Sequence, residues 1–483
     1  MEDTQIEIIK QKSIKGVLAL TSRTFILQLV AFGGTFLLTI FLSPAAFGVF
    51  YVVSAIIAFL NYFSDIGLAA ALIQKKDGVT ERDLITTFTI QQGLVIMLVL
   101  LAFLLTSAVG GFYSLDTDGQ WLYRSLIIAF FLSSLKTIPS ILLERKLDFS
   151  KLVVPQILET LGFYVIAVIL AWRGYGILSF AWAVLARSVI GLGAIYIISP
   201  WRPQLGFSRG SAQKLLRFGL PFQANSLLAL VKDDLLTVVL GKVLTFTEVG
   251  YIGWAKKWAE IPLRLIMDSV VRVTFPTFSR LQRDTAVLGR AIEKTLFGLS
   301  ASIFPITAGL MFGIAPAVAI IPKYEKWENA LTSFYLFAIA SAIASLSTPL
   351  TNALNAVGKI KTTLSLMVLW TSSTWVLTLL FVNLYGFNGV AMALLLITST
   401  IILVVHLAKG IAPFSFWRSV RFPLIGACIQ LILYMLFLRL LPSNVAGTAV
   451  IGFSGVILYT GVLWKFERAR IESIMKSFPL WRR

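Results

Sequence analysis

Fourteen apolar stretches, beginning near residues 17, 46, 84, 123, 152, 176, 217, 248, 294, 329, 364, 389, 423 and 448, recur along this chain with short connections between them. About 20 mainly apolar residues are needed for a helix to cross a bilayer. Inside the bilayer a backbone must satisfy its own hydrogen bonds, which a helix does alone. The pattern therefore predicts an all-α integral membrane protein with about fourteen transmembrane helices. Composition agrees: the 483 residues are 57% hydrophobic and only 13% charged, with a mean hydropathy of +0.85, outside the range of soluble domains.

The charged residues say how such a chain sits. Against 23 Asp and Glu there are 42 Lys and Arg, a formal net charge of +19. About 28 of the cations fall in connections on one side, about 4 on the other and about 10 within spans, as the positive-inside rule expects. A nucleic-acid partner would instead require one basic patch on a folded domain, so none is expected. An even number of spans puts both termini on one side. The basic stretches Lys10, Lys12, Lys15 and Lys465, Arg468, Arg470, Lys476, Arg482, Arg483 make that side the cytoplasm. The first stretch, about 26 residues from Val17 to Leu42, is too long for a cleaved signal sequence and reads as a retained anchor.

Little here supports catalysis or a cofactor. Cys428 is the only cysteine and His406 the only histidine, so neither disulfides nor a thiolate metal site can be built. His406 reads as an interfacial residue beside Lys409. The longest soluble connection runs from Pro200 to about Leu216, too short for a nucleotide-binding domain, and Gly358-Lys359 lacks the rest of a phosphate-binding loop. No cofactor or metal is expected, and the chain does not read as an enzyme. Its energy source is then an ion gradient, with H+ or Na+ as candidate coupling ions, the membrane potential, or the cargo's own gradient.

A weak internal repeat organises the spans. Phe47-Gly48-Val49 opens the second as Val249-Gly250-Tyr251 opens the eighth, and the Gly turns Gly174-Tyr175-Gly176 and Gly386-Phe387-Asn388-Gly389 precede the sixth and twelfth. We expect an N-terminal six-helix lobe over residues 1–200, a second over 201–408, and a helix pair with a tail over 409–483. Repeats of this kind place a substrate site near mid-membrane, where the lobes face each other. The tail, with Phe466, Ile471, Phe478 and Trp481 among cations, suits either an amphipathic helix on the inner leaflet or a solvated helix packed on the loops.

Embedded charge carries the functional reading. In the eighth stretch Lys256, Glu260, Arg264, Asp268 and Arg272 recur at every fourth position. Centring one ionised side chain in a bilayer costs about 2.5–3.5 kcal/mol on insertion scales, so such residues need partners, water or a polar ligand. The ladder precesses by about 40° per step, so it spirals rather than lining one face, and only Glu260 and Arg264 lie clearly at mid-depth. Other embedded charges are Arg23, Asp65, Lys136, Glu159 and Arg187 in the first lobe and Lys232, Asp233, Asp234 and Lys257 in the second. Opposite charges could simply pair, as Glu260 with Arg264, and hold helices together. The whole set argues for a hydrated cavity with a small cationic excess. Arg23, Lys136, Arg187, Lys232, Lys256 and Arg264 are the candidate substrate cations; Asp65, Glu159, Asp234, Glu260 and Asp268 are candidate positioning or coupling acids. Gln91, Gln92, Asn225, Asn352 and Asn355 could hydrogen-bond sugars or merely bridge helices.

Asp65-Ile66-Gly67-Leu68-Ala69-Ala70-Ala71-Leu72-Ile73-Gln74-Lys75-Lys76, continuing to Thr80-Glu81-Arg82-Asp83-Leu84, resembles Wzx-type polysaccharide flippases of the colanic-acid and teichuronic-acid exporter group. Leu143-Glu144-Arg145-Lys146-Leu147-Asp148-Phe149 and Phe275-Pro276-Thr277-Phe278-Ser279-Arg280-Leu281-Gln282 support it. The resemblance covers essentially the whole chain. It implies membership of the superfamily that also holds the lipid II flippase and MATE exporters, with two lobes opening alternately inward and outward. It further implies a bacterial inner-membrane location and an undecaprenyl-pyrophosphate-linked oligosaccharide carried from inner to outer leaflet. The last two spans would help accommodate the lipid tail, and a polysaccharide polymerase and chain-length machinery would be partners.

On this reading Arg23 and Lys136, nearer the cytoplasmic mouth, capture the head group, and Arg187, Lys232 and Arg264, deeper, carry it through closure. A MATE-like drug antiporter is the rival within transport, disfavoured by the excess of embedded cations. A membrane-embedded transferase is a more distant rival, since such enzymes usually need a catalytic histidine or carboxylates on substantial loops, and this chain has one histidine and mostly short connections.

Overall fold

The computed structural model describes residues 26–75, 78–224, 227–440 and 445–475, and every regular element among them is helical. Among the described residues, ten helices are long and apolar enough to cross a membrane: Pro44–Asp65 (α2), Glu81–Leu104 (α4), Phe149–Trp172 (α8), Leu178–Ile198 (α9), Thr285–Ile320 (α15), Glu325–Ala356, Ile360–Tyr385, Asn388–Lys409, Phe416–Phe437 and Val450–Glu472. The short helix Thr106–Tyr113 (α5) follows α4. Thr117–Ser134 (α6) and Thr137–Arg145 (α7), bent by 41°, make an eleventh if taken together. The other expected crossings are short or interrupted. Ile26–Phe41 (α1) is the described part of the first. The seventh is divided into Arg209–Ala224 (α10), Leu227–Leu230 (α11), a π-helical turn Val231–Leu235 and Leu236–Val243 (α12). The eighth is divided into Phe246–Ala259 (α13) and Ile261–Leu281 (α14).

Local chemistry explains these boundaries. Ser43 accepts a hydrogen bond from the Ala46 N–H ahead of Pro44, a cap and first-turn proline that start α2. Two residues in the left-handed region, Ile66 (φ 42°) and Gly67 (φ 77°), end it and turn the chain into Leu68–Gln74 (α3). Thr80 and Asp83 form a reciprocal capping box on α4. Positive φ at Gly174, Gly176 and Gly386 makes the two tight turns read in the sequence. At 36 residues α15 is about 54 Å long, against a hydrocarbon core of about 30 Å, so part of it extends beyond the bilayer.

Packing divides the chain into two compact units that meet between Gly250 and Tyr251. The first takes in the seventh segment because α10 and α12 lie along α3 and α2. A Cβ on Gly67 would fall 2.2 Å from the Gly219 carbonyl oxygen, and one on Gly241 2.5 Å from Val52. Tyr62 and Gln223 exchange two side-chain-to-backbone hydrogen bonds of 2.7 Å. The repeat glycines meet reciprocally: a Cβ on Gly48 would sit 1.8 Å from the Phe246 carbonyl oxygen, and one on Gly250 1.9 Å from that of Pro44. The first lobe was expected to end at residue 200, whereas this packed unit runs on to Gly250.

In the second unit, Leu331–Ala356 (α16), Ile360–Tyr385 (α17), Asn388–Thr398 (α18), Ile401–Lys409 (α19), Phe416–Leu440 (α20) and Val445–Met475 (α21) follow α15. Leu296, Leu299, Ile303, Leu350, Leu354 and Val404 are among the buried residues of its core. Near its end α21 kinks at Glu467 (φ −131°). There Arg470 reaches Glu467 (3.5 Å), Glu293 on α15 (4.0 Å) and the Arg418 carbonyl on α20 (3.0 Å), and Ile471 packs on the core. These contacts suit the packed form of the tail; residues 476–483 lie outside the described residues.

Candidate functional site: an ion triad at mid-span

The bend between α6 and α7 is the origin of the site. It interrupts the helix at Leu135 and Lys136, and neighbouring helices satisfy the polar groups that it frees. The Tyr196 hydroxyl donates to the Leu135 carbonyl at 3.1 Å. From α4, Gln92 Nε2 donates to Ser134 Oγ (3.0 Å) and Gln91 Nε2 to Thr137 Oγ1 (2.9 Å), so these two glutamines bridge helices across the break. Such partners let a broken helix persist at membrane depth.

Lys136 projects from this break to Glu159 on α8, with Nζ 2.7 Å from Oε1. Arg187 on α9 approaches the other oxygen, Nε to Oε2, at 3.8 Å. Glu159 is the eleventh of 24 residues in α8 and Arg187 the tenth of 21 in α9, so both lie near mid-span. Lys136 and Glu159 are largely buried, at 16% and 12% exposure, whereas Arg187 is 53% exposed. The triad has one carboxylate between two cations. Arg187 makes no hydrogen bond among the described residues, which leaves its planar fork of donors available to an anion. Gly191 makes room for the carboxylate, because a Cβ there would lie 1.9 Å from Glu159 Oε1. One turn before Glu159, the Gln156 Oε1 atom is buried with no partner among the described residues.

Sequence reasoning placed Lys136 nearer the mouth and Arg187 deeper; the structure brings both to the same carboxylate. It did not find Tyr196 or Gly191. A small residue one turn after an embedded arginine was the available signal for the second.

The other candidates fall elsewhere. In the π turn, a local widening often found at functional sites, Lys232 Nζ lies 3.8 Å from Asp233 Oδ2, and Asp234 is half-buried. The charge ladder of the eighth segment is divided rather than continuous. Glu260 sits at the junction, because Pro262 in the first turn of α14 has no N–H to continue α13. Glu260 Oε2 receives Arg264 Nη2 at 2.8 Å and Nε at 3.3 Å, the pairing that the i,i+4 spacing suggested, with Arg264 60% exposed. Lys256 is half-buried on α13. Asp268 and Arg272 fall on α14, with their side chains outside what is described; Arg23 and Asn225 lie outside the described residues. Asp65 accepts hydrogen bonds from the Ala69 N–H at 3.1 and 3.3 Å, capping α3. Asn355 accepts from Thr363 at 2.6 Å, and Asn352 Nδ2 is buried without a partner among the described residues.

The motifs behind the resemblance have a shared structural use. Arg145 donates to the carbonyls of Leu72, Ile73 and Lys75, closing the C-terminal end of α3, and Lys75 pairs with Asp83 of the capping box. The stretches Asp65–Lys75, Thr80–Leu84 and Leu143–Phe149 are thus parts of one knot.

With this geometry in view, the protein is a polytopic helical membrane protein with the fold of the lipid II flippase MurJ. The solved inward-closed MurJ matches with a TM-score of 0.75 at 16% identity, over 95% of this chain and all of that one. An inward-facing multidrug resistance MATE family transporter of the MOP superfamily gives 0.61 at 16% identity, over 82% and 97%. Residues 37–332 match the family described as polysaccharide biosynthesis protein, and the chain belongs to that family. It is 25% identical over 328 residues to the lipopolysaccharide biosynthesis protein WzxC of Escherichia coli, covering 65% of this chain and 64% of that protein. It is also 25% identical to the teichuronic acid biosynthesis protein TuaB of Bacillus subtilis, covering 62% of each. These matched stretches span less than two thirds of the relatives.

Proposed function

We propose that this protein is a flippase that moves undecaprenyl-pyrophosphate-linked oligosaccharide from the inner to the outer leaflet of a bacterial inner membrane, by alternating access, for surface polysaccharide synthesis. The observation that carries the reading is the Lys136–Glu159–Arg187 triad. A net positive group at mid-span, with an arginine fork left open, suits a pyrophosphate crossing the middle of the membrane. Arg187 would take the phosphate directly. Glu159 would hold Lys136 and Arg187 apart while no cargo is bound, and is the first candidate to bind a coupling H+ or Na+. Arg264, held by Glu260 yet largely exposed, is the corresponding candidate in the second unit. Both termini would lie in the cytoplasm, and polymerase and chain-length machinery would receive the product. No covalent step is required of the chain.

Arg187→Gln tests the assignment in cells whose surface polysaccharide depends on this protein. Losing a charge-assisted hydrogen bond of about 1.5–3 kcal/mol corresponds to roughly a ten- to hundredfold loss of export. We expect that loss at normal protein abundance, with Arg187→Lys retaining part of it. Unchanged polysaccharide in Arg187→Gln would remove the triad from the pathway.

A further inference from the structure

The second unit contains an apolar cavity unrelated to the triad. About 360 Å³ in volume, it lies between α15, α16, α19 and α20, with Phe304, Met311, Ile343, Leu346 and Leu424 in its wall. That volume falls within the roughly 300–1,000 Å³ typical of small-molecule sites. All four helices belong to candidate membrane spans, so the cavity lies at membrane depth, and an empty cavity would forfeit dispersion contacts along its lining.

Along α20 the residues Trp417, Arg421, Leu424 and Cys428 follow one another at steps of four, three and four, which places them on one helix face. Trp417, Leu424 and Cys428 line the cavity. Arg421 lies in the second turn of α20, about 8 Å from its start, at the depth where a span meets head groups. Its Nε is buried with no hydrogen-bond partner among the described residues. The carboxylates Glu293 and Glu467 near this helix end are engaged by Arg470. The Arg421 guanidinium lies 4.6 Å from the centroid of the Phe422 ring and forms no ion pair with a carboxylate among the described residues. A tryptophan lining an apolar cavity, with this arginine one turn on along the same helix face, matches an amphiphile with an anionic head, as basic pockets between spans do.

We propose that this cavity holds one acyl chain of an anionic glycerophospholipid of the surrounding bilayer, with its phosphate on Arg421. The cargo's isoprenoid tail, which the resemblance assigns to the last two spans, is the competing occupant, and it has no anionic head at that point to satisfy the arginine.

Cys428, exposed in the cavity wall and the only cysteine in the chain, reports occupancy without a mutation. Its alkylation rate by N-ethylmaleimide is followed on the purified full-length protein in detergent, with phosphatidylglycerol or phosphatidylcholine added. At about four times the dissociation constant, mass action gives about fivefold protection by phosphatidylglycerol; phosphatidylcholine should give little. Arg421→Gln should abolish the protection and Arg421→Lys retain it. Equal protection by both lipids on the unaltered protein would overturn the proposal, whatever the stability of the variants. So would full protection in an Arg421→Gln protein that melts normally, or protection by a polyprenol but not by phosphatidylglycerol.

Discussion

Glu159 sits between two cations contributed by different segments, and nothing local in the chain announces that meeting. Lys136 and Arg187 are 23 and 28 residues away from it, beyond any helical spacing rule. Embedded charge was visible in the sequence; partnership was not. Glu260 with Arg264 was readable because four residues is one helical turn. Asp65, read as a positioning or coupling acid, turns out to cap α3, a role set by the left-handed turn at Ile66 and Gly67 that no charge pattern encodes. The triad makes a specific stability prediction. Glu159→Gln leaves Lys136 largely buried without its partner, a loss that typically costs about 3–5 kcal/mol, so abundance and melting temperature should fall. Replacing the inner pair together, Lys136→Met with Glu159→Leu, should restore abundance, because a buried pair exchanged for apolar residues is often neutral. Export should stay lost. A double variant that exports normally would make the Lys136–Glu159 pair purely structural.

Helix identity was legible wherever apolar residues ran unbroken, as in α8, α9 and α15. It was less so where polar residues and prolines fell inside a span: α6–α7, the π turn and the α13–α14 junction were each read as one continuous helix. Breaks depend on partners from other helices, such as Tyr196 on the Leu135 carbonyl, which a single-segment reading cannot supply. The repeat glycines were legible, and the structure gives their reason. Gly48 and Gly250 let the starts of α2 and α13 approach until each glycine touches the other segment's backbone. Gly48→Ala and Gly250→Ala should each lower the melting temperature, by an amount equivalent to about 1–3 kcal/mol of overpacking. The pair should be less than additive because one contact is involved. Independent, fully additive effects measured by thermal unfolding would mean that the two glycines do not share an interface.

At the scale of the whole molecule, hydropathy announced a polytopic helical protein, and the MurJ-like fold agrees. The packed units were harder to read, because α10 and α12 attach to α2 and α3 through close backbone contacts at Gly67 and Gly241 that carry no hydrophobic signature. What makes such a molecule a flippase rather than a helical scaffold is whether its mid-span cations meet the cargo. The direct measurement is leaflet transfer of a purified lipid-linked oligosaccharide in proteoliposomes, read as the sugar that becomes accessible to an added lectin. Unaltered protein should transfer it, Arg187→Lys should transfer it more slowly, and Arg187→Gln should be slowed roughly ten- to hundredfold. Transfer by Arg187→Gln at the unaltered rate would contradict the central role of the triad.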